Sequence, residues 1–300
     1  MRRRFATLDV FTDRRFAGNP LAVVLDAEGL GDAAMQTIAG EFNLSETVFV
    51  LPPAEASHRA RLRIFTPGAE LPFAGHPTVG TAVLLARLDA LTRETEMILG
   101  ESIGPVRCRV QAAKGEVGSA RFEVPRLPEY AGASAPAAAL AAALGLHGDD
   151  VGFDDYEPGR WSAGVGFTMV PVRGLEAIGH ACADVGGWEA AFGASGQHRA
   201  AFLFCRETSE EGHAFHARMF APPLGIREDP ATGSAVANLA GMIARHGGLA
   251  DGEHELAIEQ GYEMGRPSVL RLGLTLRGGV LTAASIGGEA VLVSEGTIEA

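Results

Sequence analysis

The pattern of apolar and polar positions changes period several times along the chain. "RFATLDVFT" (residues 4–12) alternates around Phe5, and "PLAVVLD" (20–26) is a short β-branched run; both predict strands. "GDAAMQTIAGEFN" (31–43) places Met35, Ile38, Ala39 and Phe42 at helical spacing behind an Asp32 suited to the N-cap. "TVFVL" and "ARLRIF" return to strand periodicity. From Pro77 to about Leu88 the pattern is helical, with Val79, Ala82, Val83 and Ala86 on one apolar face. "TEMIL", "PVRCRVQ" and "SARFEV" predict a β-meander. Beyond residue 125, "PAAALAAAL" and "DVGGWEAAFG" predict helices, and "FTMVPV", "AAFLFC" and "AFHARMF" predict strands. A helix from Pro230 to about His246 precedes strands in "HELAIEQ", "SVLRLGLTL", "VLTAAS" and "AVLVSE". Strands outnumber helices without regular strand–helix–strand alternation, which favours an α+β fold over a dinucleotide-binding sheet.

One block of this pattern occurs twice. "RLRIFTPGAELPFAGHPTVGTA" begins at Arg61 and "HARMFAPPLGIREDPATGSA" at His216. Arg63, Phe65 and Pro67 match Arg218, Phe220 and Pro222. His76, Pro77, Gly80, Thr81 and Ala82 match Asp229, Pro230, Gly233, Ser234 and Ala235. A repeat spacing of about 150 residues is too long for a solenoid. It implies two similar domains, each with a strand, a loop and a central helix, and 300 residues suffice for two. The expected division is 1–120 and 121–300, with the boundary between about 112 and 128 and the C-terminal strands free to cross back onto the first domain.

Pro is favoured at the first helical position, so the residue before it is expected to cap the helix. Asp229 suits that role; His76 suits it less. The backbone N–H groups of a helix's first turn lack intrahelical partners and attract anions. Gly80 and Gly233 are expected to let a ligand approach the backbone. Two such termini facing one interdomain cleft would clamp a small carboxylate. Glu46, in "FNLSETVFV", lies between a helix end and a strand just after Ser45; its local sequence alone reads as a solvated glutamate.

Composition narrows the functional classes. A formal net charge of −12 argues against a nucleic-acid binder, which needs a basic face. With 47% apolar and 21% charged residues the composition is that of a globular chain. No stretch approaches the ~20 apolar residues of a membrane span, and the N-terminus lacks the apolar core of a signal peptide. Cys108, Cys182 and Cys205 are widely spaced and odd in number, which favours a reducing compartment such as the cytoplasm and no disulfide framework. They read as buried packing residues. His213 and His216, in "HAFH", are expected on opposite faces of a strand, and no metal site is expected there.

Together "DVFTDRRFAGNPLAVV", "EFNLSETVFV", "FTPGAELPFAGHPTVGTA", "REDPATGSA" and "EQGYEMGRPS" resemble the PhzF-like family of phenazine biosynthesis, in that family's order and over nearly the whole chain. The resemblance implies a diaminopimelate-epimerase-like fold: two pseudo-symmetric domains, each a curved, mostly antiparallel sheet around a central helix, with the active site in the cleft. It also implies a homodimer and an isomerase that needs no cofactor. Glu46 matches the family's catalytic glutamate. Gly75, His76, Asp229, Gly233 and Ser234 match residues that surround and bind the substrate, and Ser45 and Asn19 lie in matching motifs.

Related epimerases use two thiols at the repeated turns, where this chain has His76 and Asp229, so a two-thiol mechanism is excluded. Proton transfer by a carboxylate remains. Glu46 is the expected base, with His76 and Asp229 binding the substrate or relaying the proton, and the helix termini stabilising an enolate-like anion. Two alternatives stay open at this stage. One is an epimerase or racemase of an amino or hydroxy acid using Glu46 and Asp229 as its two bases; the other is a non-catalytic small-molecule binding protein on the same fold.

Overall fold

The computed structural model describes every residue except 115, 116, 194, 195 and 197, and only the backbone of 112–114. The expected boundary window of 112–128 thus includes two positions, 115 and 116, that lie outside the described residues. The chain forms two compact units, Met1–Glu123 with Gly287–Ala300, and Val124–Ile286.

In the first unit the strands are β1 (Arg2–Val10), β2 (Asn19–Val24), β3 (Glu46–Leu51), β4 (Ala60–Phe65), β5 (Glu70–Leu71), β6 (Thr95–Glu101), β7 (Gly104–Lys114) and β8 (Val117–Glu123). They are joined by the last part of the chain's final strand, β17 (Val280–Glu299). Helix α1 (Asp32–Phe42) connects β2 to β3, and α2 (Gly75–Leu88) lies between β5 and β6. Pairing runs β1–β2–β3–β4–β6–β7–β8–β17 and back to β1. The ring closes, so these strands keep no open edge. β2–β3 and β4–β6 are parallel, each across a helix, and the other pairs with a described register are antiparallel.

Helix α2 packs against β1, β2, β3, β6, β7 and β8. Every residue from Gly75 to Ala86 is buried, including His76, Thr78 and Thr81. The single apolar stripe read from the sequence therefore understates its environment: a helix enclosed by strands is buried all round. Close approach depends on Gly80. A Cβ there would lie 2.6 Å from Leu21 Cδ2 and 2.7 Å from Val10 Cγ2.

The second unit contains β9 (Glu129–Ala133), α3 (Ala137–Ala143), β10 (Gly159–Ser162), β11 (Gly166–Pro171), α4 (Leu175–His180), α5 (Val185–Phe192), β12 (Ala201–Cys205), β13 (Phe215–Ala221), β14 (Ile226–Asp229), α6 (Gly233–His246), β15 (Gly252–Gln260) and β16 (Ser268–Arg277). Successive pairs β10–β11, β11–β12, β12–β13, β13–β15 and β15–β16 alternate antiparallel and parallel. The pairs β1–β2, β2–β3, β3–β4, β4–β6 and β6–β7 follow the same alternation. Helix α6 occupies the place of α2 in this order, and its residues Ala235–Ile243 are buried.

The matched arginines have matched surroundings. Arg63 on β4 donates from Nε and Nη2 to Glu70 of β5 at 2.7 and 2.6 Å, and its guanidinium lies 5.0 Å from the Phe65 ring centre. Arg218 on β13 donates from Nε and Nη2 to Glu228 of β14 at 2.8 and 2.9 Å, and lies 4.8 Å from the Phe220 ring centre. Each Nη1 reaches the helical segment packed beside it: Asp32 for Arg63, and the Ile178 and Ala181 carbonyls for Arg218. The forked geometry fits a planar guanidinium and not an ammonium.

Three local expectations change. Asp32 is the first residue of α1 and Gly31 the N-cap; the Asp32 carboxylate is engaged by Arg63 instead. "VLTAAS" and "AVLVSE" are parts of one long strand, β17. The parallel pairs show that local β–α–β crossovers exist despite the irregular alternation in the sequence. Among the described residues no helix is long and apolar enough to cross a membrane.

Candidate active site

In the first unit, β2 and β3 begin side by side, with Leu21 opposite Glu46 in parallel register. Asn19 opens β2 and is fully buried; Glu46 opens β3, directly after the partly buried Ser45. The Glu46 side chain is 14% exposed, so it is not the solvated glutamate its local sequence reads as. Helix α2 delivers the partner. Its N-cap is Ala74, and Gly75, His76 and Pro77 form its first turn. His76 Nε2 lies 3.2 Å from Glu46 Oε2, without the alignment of a hydrogen bond.

Burial pushes the His76 pKa down to about 3. The imidazole is therefore neutral at neutral pH, and the short contact is not an ion pair. A neutral ring beside Glu46 does not cancel the carboxylate's charge, yet either ring nitrogen can exchange a hydrogen bond. Deeper along the same helix the Thr81 hydroxyl is buried with no hydrogen-bond partner among the described residues. Gly80 does not open the backbone to a ligand as expected: its missing side chain makes room for Val10 and Leu21.

In the second unit Asp229 ends β14, and α6 starts only at Gly233, with Thr232 as N-cap. The repeated template thus sits differently on the two helices. His76 and Pro77 are inside α2, whereas Asp229 and Pro230 precede α6. Pro230 does not open a helix, neither His76 nor Asp229 is an N-cap, and the expected cap role of Asp229 is corrected.

Gln260, the last residue of β15 and fully buried, explains the difference. Its Oε1 accepts from Thr232 N at 3.0 Å, and its Nε2 donates to the Asp229 carbonyl at 2.7 Å and to Thr232 Oγ1 at 3.0 Å. Thr232 Oγ1 in turn donates to Asp229 Oδ2 at 2.5 Å. The backbone amide and carbonyl are satisfied by a side chain, so the turn stays out of the helix. Gly261 follows with φ +80°, where a Cβ would lie 2.6 Å from the Pro230 carbonyl oxygen. Gly233 and the partly buried Ser234 are then the first two residues of α6.

Other expectations resolve as follows. Cys108 and Cys205 are buried and Cys182 is exposed, which corrects the reading of all three as packing residues. Burial pushes both buried thiols up, Cys205 to about 12. His213 and His216 do not diverge: they meet the two oxygens of Glu259 at 2.7 and 2.9 Å. His213 precedes β13, so strand alternation does not apply to it.

The phenazine biosynthesis-like (PhzC-PhzF) family matches residues 8–296. The chain belongs to this family. Within its range, an uncharacterized isomerase of Mesorhizobium japonicum is 49% identical over 298 residues, covering 99% of this chain and 98% of that protein. The trans-2,3-dihydro-3-hydroxyanthranilate isomerase of Pseudomonas aeruginosa is 35% identical over 295 residues, covering 98% of each. A PhzF-family crystal structure from Bacillus anthracis superposes with a TM-score of 0.89 at 27% identity over 100% of both chains. The chain is thus an enzyme of an isomerase family.

Gln260, Thr232, Thr78 and Glu101 were not singled out from the sequence. Gln260 lies in the quoted segment "EQGYEMGRPS", but nothing local shows that a strand-end glutamine is buried and bonded to a turn 28 residues away.

Proposed function

We propose that this protein is a cofactor-independent isomerase of a small carboxylate, and that Glu46 is its catalytic base. The observation that carries the reading is the Glu46–His76 pair: a mostly buried carboxylate 3.2 Å from an imidazole kept neutral by burial. Glu46 takes a proton from an activated C–H, becoming a carboxylic acid, and the electron pair spreads into the adjacent conjugated system. The Glu46 acid, whose carboxyl proton can exchange with solvent, returns a proton at another carbon, which moves a double bond and regenerates the carboxylate. No net oxidation occurs and no co-reactant is consumed. His76 hydrogen-bonds the substrate or the Glu46 acid, and its neutrality keeps Glu46 able to accept a proton.

Ser45 and Gly75 directly precede the two members of this pair, Asn19 opens the strand next to β3, and all three are assigned to substrate binding. Asp229, Gly233 and Ser234 are assigned to substrate binding through the sequence block they share with His76, Gly80 and Thr81. A homodimer acting in the cytoplasm belongs to the same reading. The P. aeruginosa relative supplies the first compound to try, trans-2,3-dihydro-3-hydroxyanthranilate.

The purified protein is mixed with this compound, and then with other unsaturated carboxylic acids, while ultraviolet absorbance and optical rotation are followed together. Isomerisation moves the double bond and changes the absorbance. A change of rotation at constant absorbance would contradict the isomerase reading in favour of epimerisation. Asp229→Asn keeps the acceptor for Thr232 Oγ1 and removes the charge; a raised KM with little change in kcat is expected.

A further inference from the structure

Glu101 ends β6 on the inside of the first unit, 8% exposed, and faces the start of α2. Its Oε1 lies 2.7 Å from Thr78 Oγ1, and Thr78 Oγ1 lies 2.7 Å from the Ala74 carbonyl oxygen. Thr78 has one hydroxyl hydrogen for these two contacts. The carbonyl has none to offer. Both bonds form at once only if the carboxyl is protonated: Glu101 donates to Thr78, and Thr78 donates to Ala74. The other carboxyl oxygen, Oε2, is buried with no partner among the described residues. A bare neutral oxygen there costs far less than a bare charged one.

We propose that protonated Glu101 is a positioning residue: through Thr78 it ties the end of β6 to Ala74, and so fixes the turn between residues 74 and 78 that presents His76 to Glu46. The inference rests on reading the Glu46–His76 pair as the reaction centre. Ala74 and Thr78 bracket His76, so their two hydrogen bonds limit how far the imidazole can move.

The surroundings agree. Burial raises the Glu101 pKa to about 8. A Thr78 hydroxyl turned to donate to the carboxylate would oppose that rise, whereas with the hydroxyl hydrogen given to Ala74 the Thr78 oxygen accepts from, and favours, the protonated carboxyl. Thr78 faces the carboxyl from α2, and the Cys108 thiol from β7, itself pushed further up by Glu101. His58, beside Gly100 on the same strand, is occupied with Glu55 at 3.6 Å. Among the described residues no cation contributes to the shift. Above the raised pKa Glu101 loses its donor, and the chain to Ala74 loses a link.

Two readouts that do not use turnover test this. The first is the pH dependence of the His76 ring signals in nuclear magnetic resonance. His76 itself titrates only near pH 3, so movement at alkaline pH reports its neighbours. In wild type the signals are expected to follow one titration near pH 8. In E101Q, whose amide donates to Thr78 at every pH, they stay flat. Thr78→Val, which keeps the side-chain shape and lacks the hydroxyl, is the second variant and also uncouples the signals from Glu101. The second readout is infrared: wild type at neutral pH shows a protonated-carboxyl band that disappears on raising the pH.

His76 signals that move identically in wild type and both variants, or a wild type without the band, would overturn the proposal. Once a substrate is in hand, the alkaline limb of the kcat profile, a fall of at most about tenfold per pH unit, is expected to vanish in E101Q. A limb that persists in the folded variant counts against the proposal. Failure of these tests leaves the Glu46 reading standing. Failure of the Glu46 test leaves the Glu101 titration in place.

Discussion

Replacing Gln260 by Met tests how the Asp229 turn is held. Met has nearly the volume of Gln, so no cavity is made, and the effect isolates hydrogen bonding. Three bonds disappear: Thr232 N to Oε1 at 3.0 Å, and Nε2 to the Asp229 carbonyl and to Thr232 Oγ1 at 2.7 and 3.0 Å. The side chain is fully buried, so water cannot replace it without rearrangement. An intact hydrogen bond contributes about 1 kcal/mol net, while a buried group left unpaired costs about 1–3 kcal/mol. Thr232 N and the Asp229 carbonyl both lose this partner, so the expected loss is about 2–6 kcal/mol. Urea unfolding followed by circular dichroism measures it, with Gln111→Met at an exposed position of β7 as a control expected within about 0.5 kcal/mol of wild type. A Gln260→Met loss below about 1 kcal/mol at unchanged denaturant slope would refute the reasoning, because the turn would then hold without its bracket.

Two further outcomes are expected. Gly80→Ala puts a methyl group 2.6–2.7 Å from Leu21 and Val10, and is expected to cost about 1–3 kcal/mol by overpacking, measured as a fall in the urea midpoint. For pH, His76 has a folded pKa depressed from 6.5 to about 3. Its contribution to stability is present above pH 6.5 and is lost as pH falls towards 3. His76→Gln is expected to flatten that acid limb in melts run across the range.

The sequence made much of the first unit legible. Strand alternation, the α1 periodicity and the helix after Pro77 all follow from local pattern. The repeated Arg63 and Arg218 pointed to a duplicated device, because an arginine and an aromatic two residues apart share one face of a strand. Their glutamates were hidden, since the distance from Arg63 to Glu70 differs from that between Arg218 and Glu228. Helix starts were misplaced for a similar reason. Pro77 and Pro230 look alike in sequence, but only the second is followed by an amide, Thr232 N, that Gln260 holds out of the helix, a contact made across 28 residues. Glu46 showed nothing locally; the first turn of α2, distant in sequence, brings His76 beside it. Glu101 was equally silent, because a glutamate at the end of a strand is ordinarily solvated.

The central claim is that Glu46 moves the proton, and deuterium exchange measures that directly. Wild type and Glu46→Gln, both shown to be folded, are incubated in heavy water with a substrate that the wild type turns over, and deuterium at its carbon positions is counted. Gln keeps the size and much of the hydrogen bonding but cannot accept the proton. The account predicts exchange slower by about 10²–10⁴ in the variant, the usual contribution of a positioned general base, with ligand affinity changed less than about tenfold. Equal exchange rates in the two proteins would contradict it and move the proton transfer to His76 or Asp229.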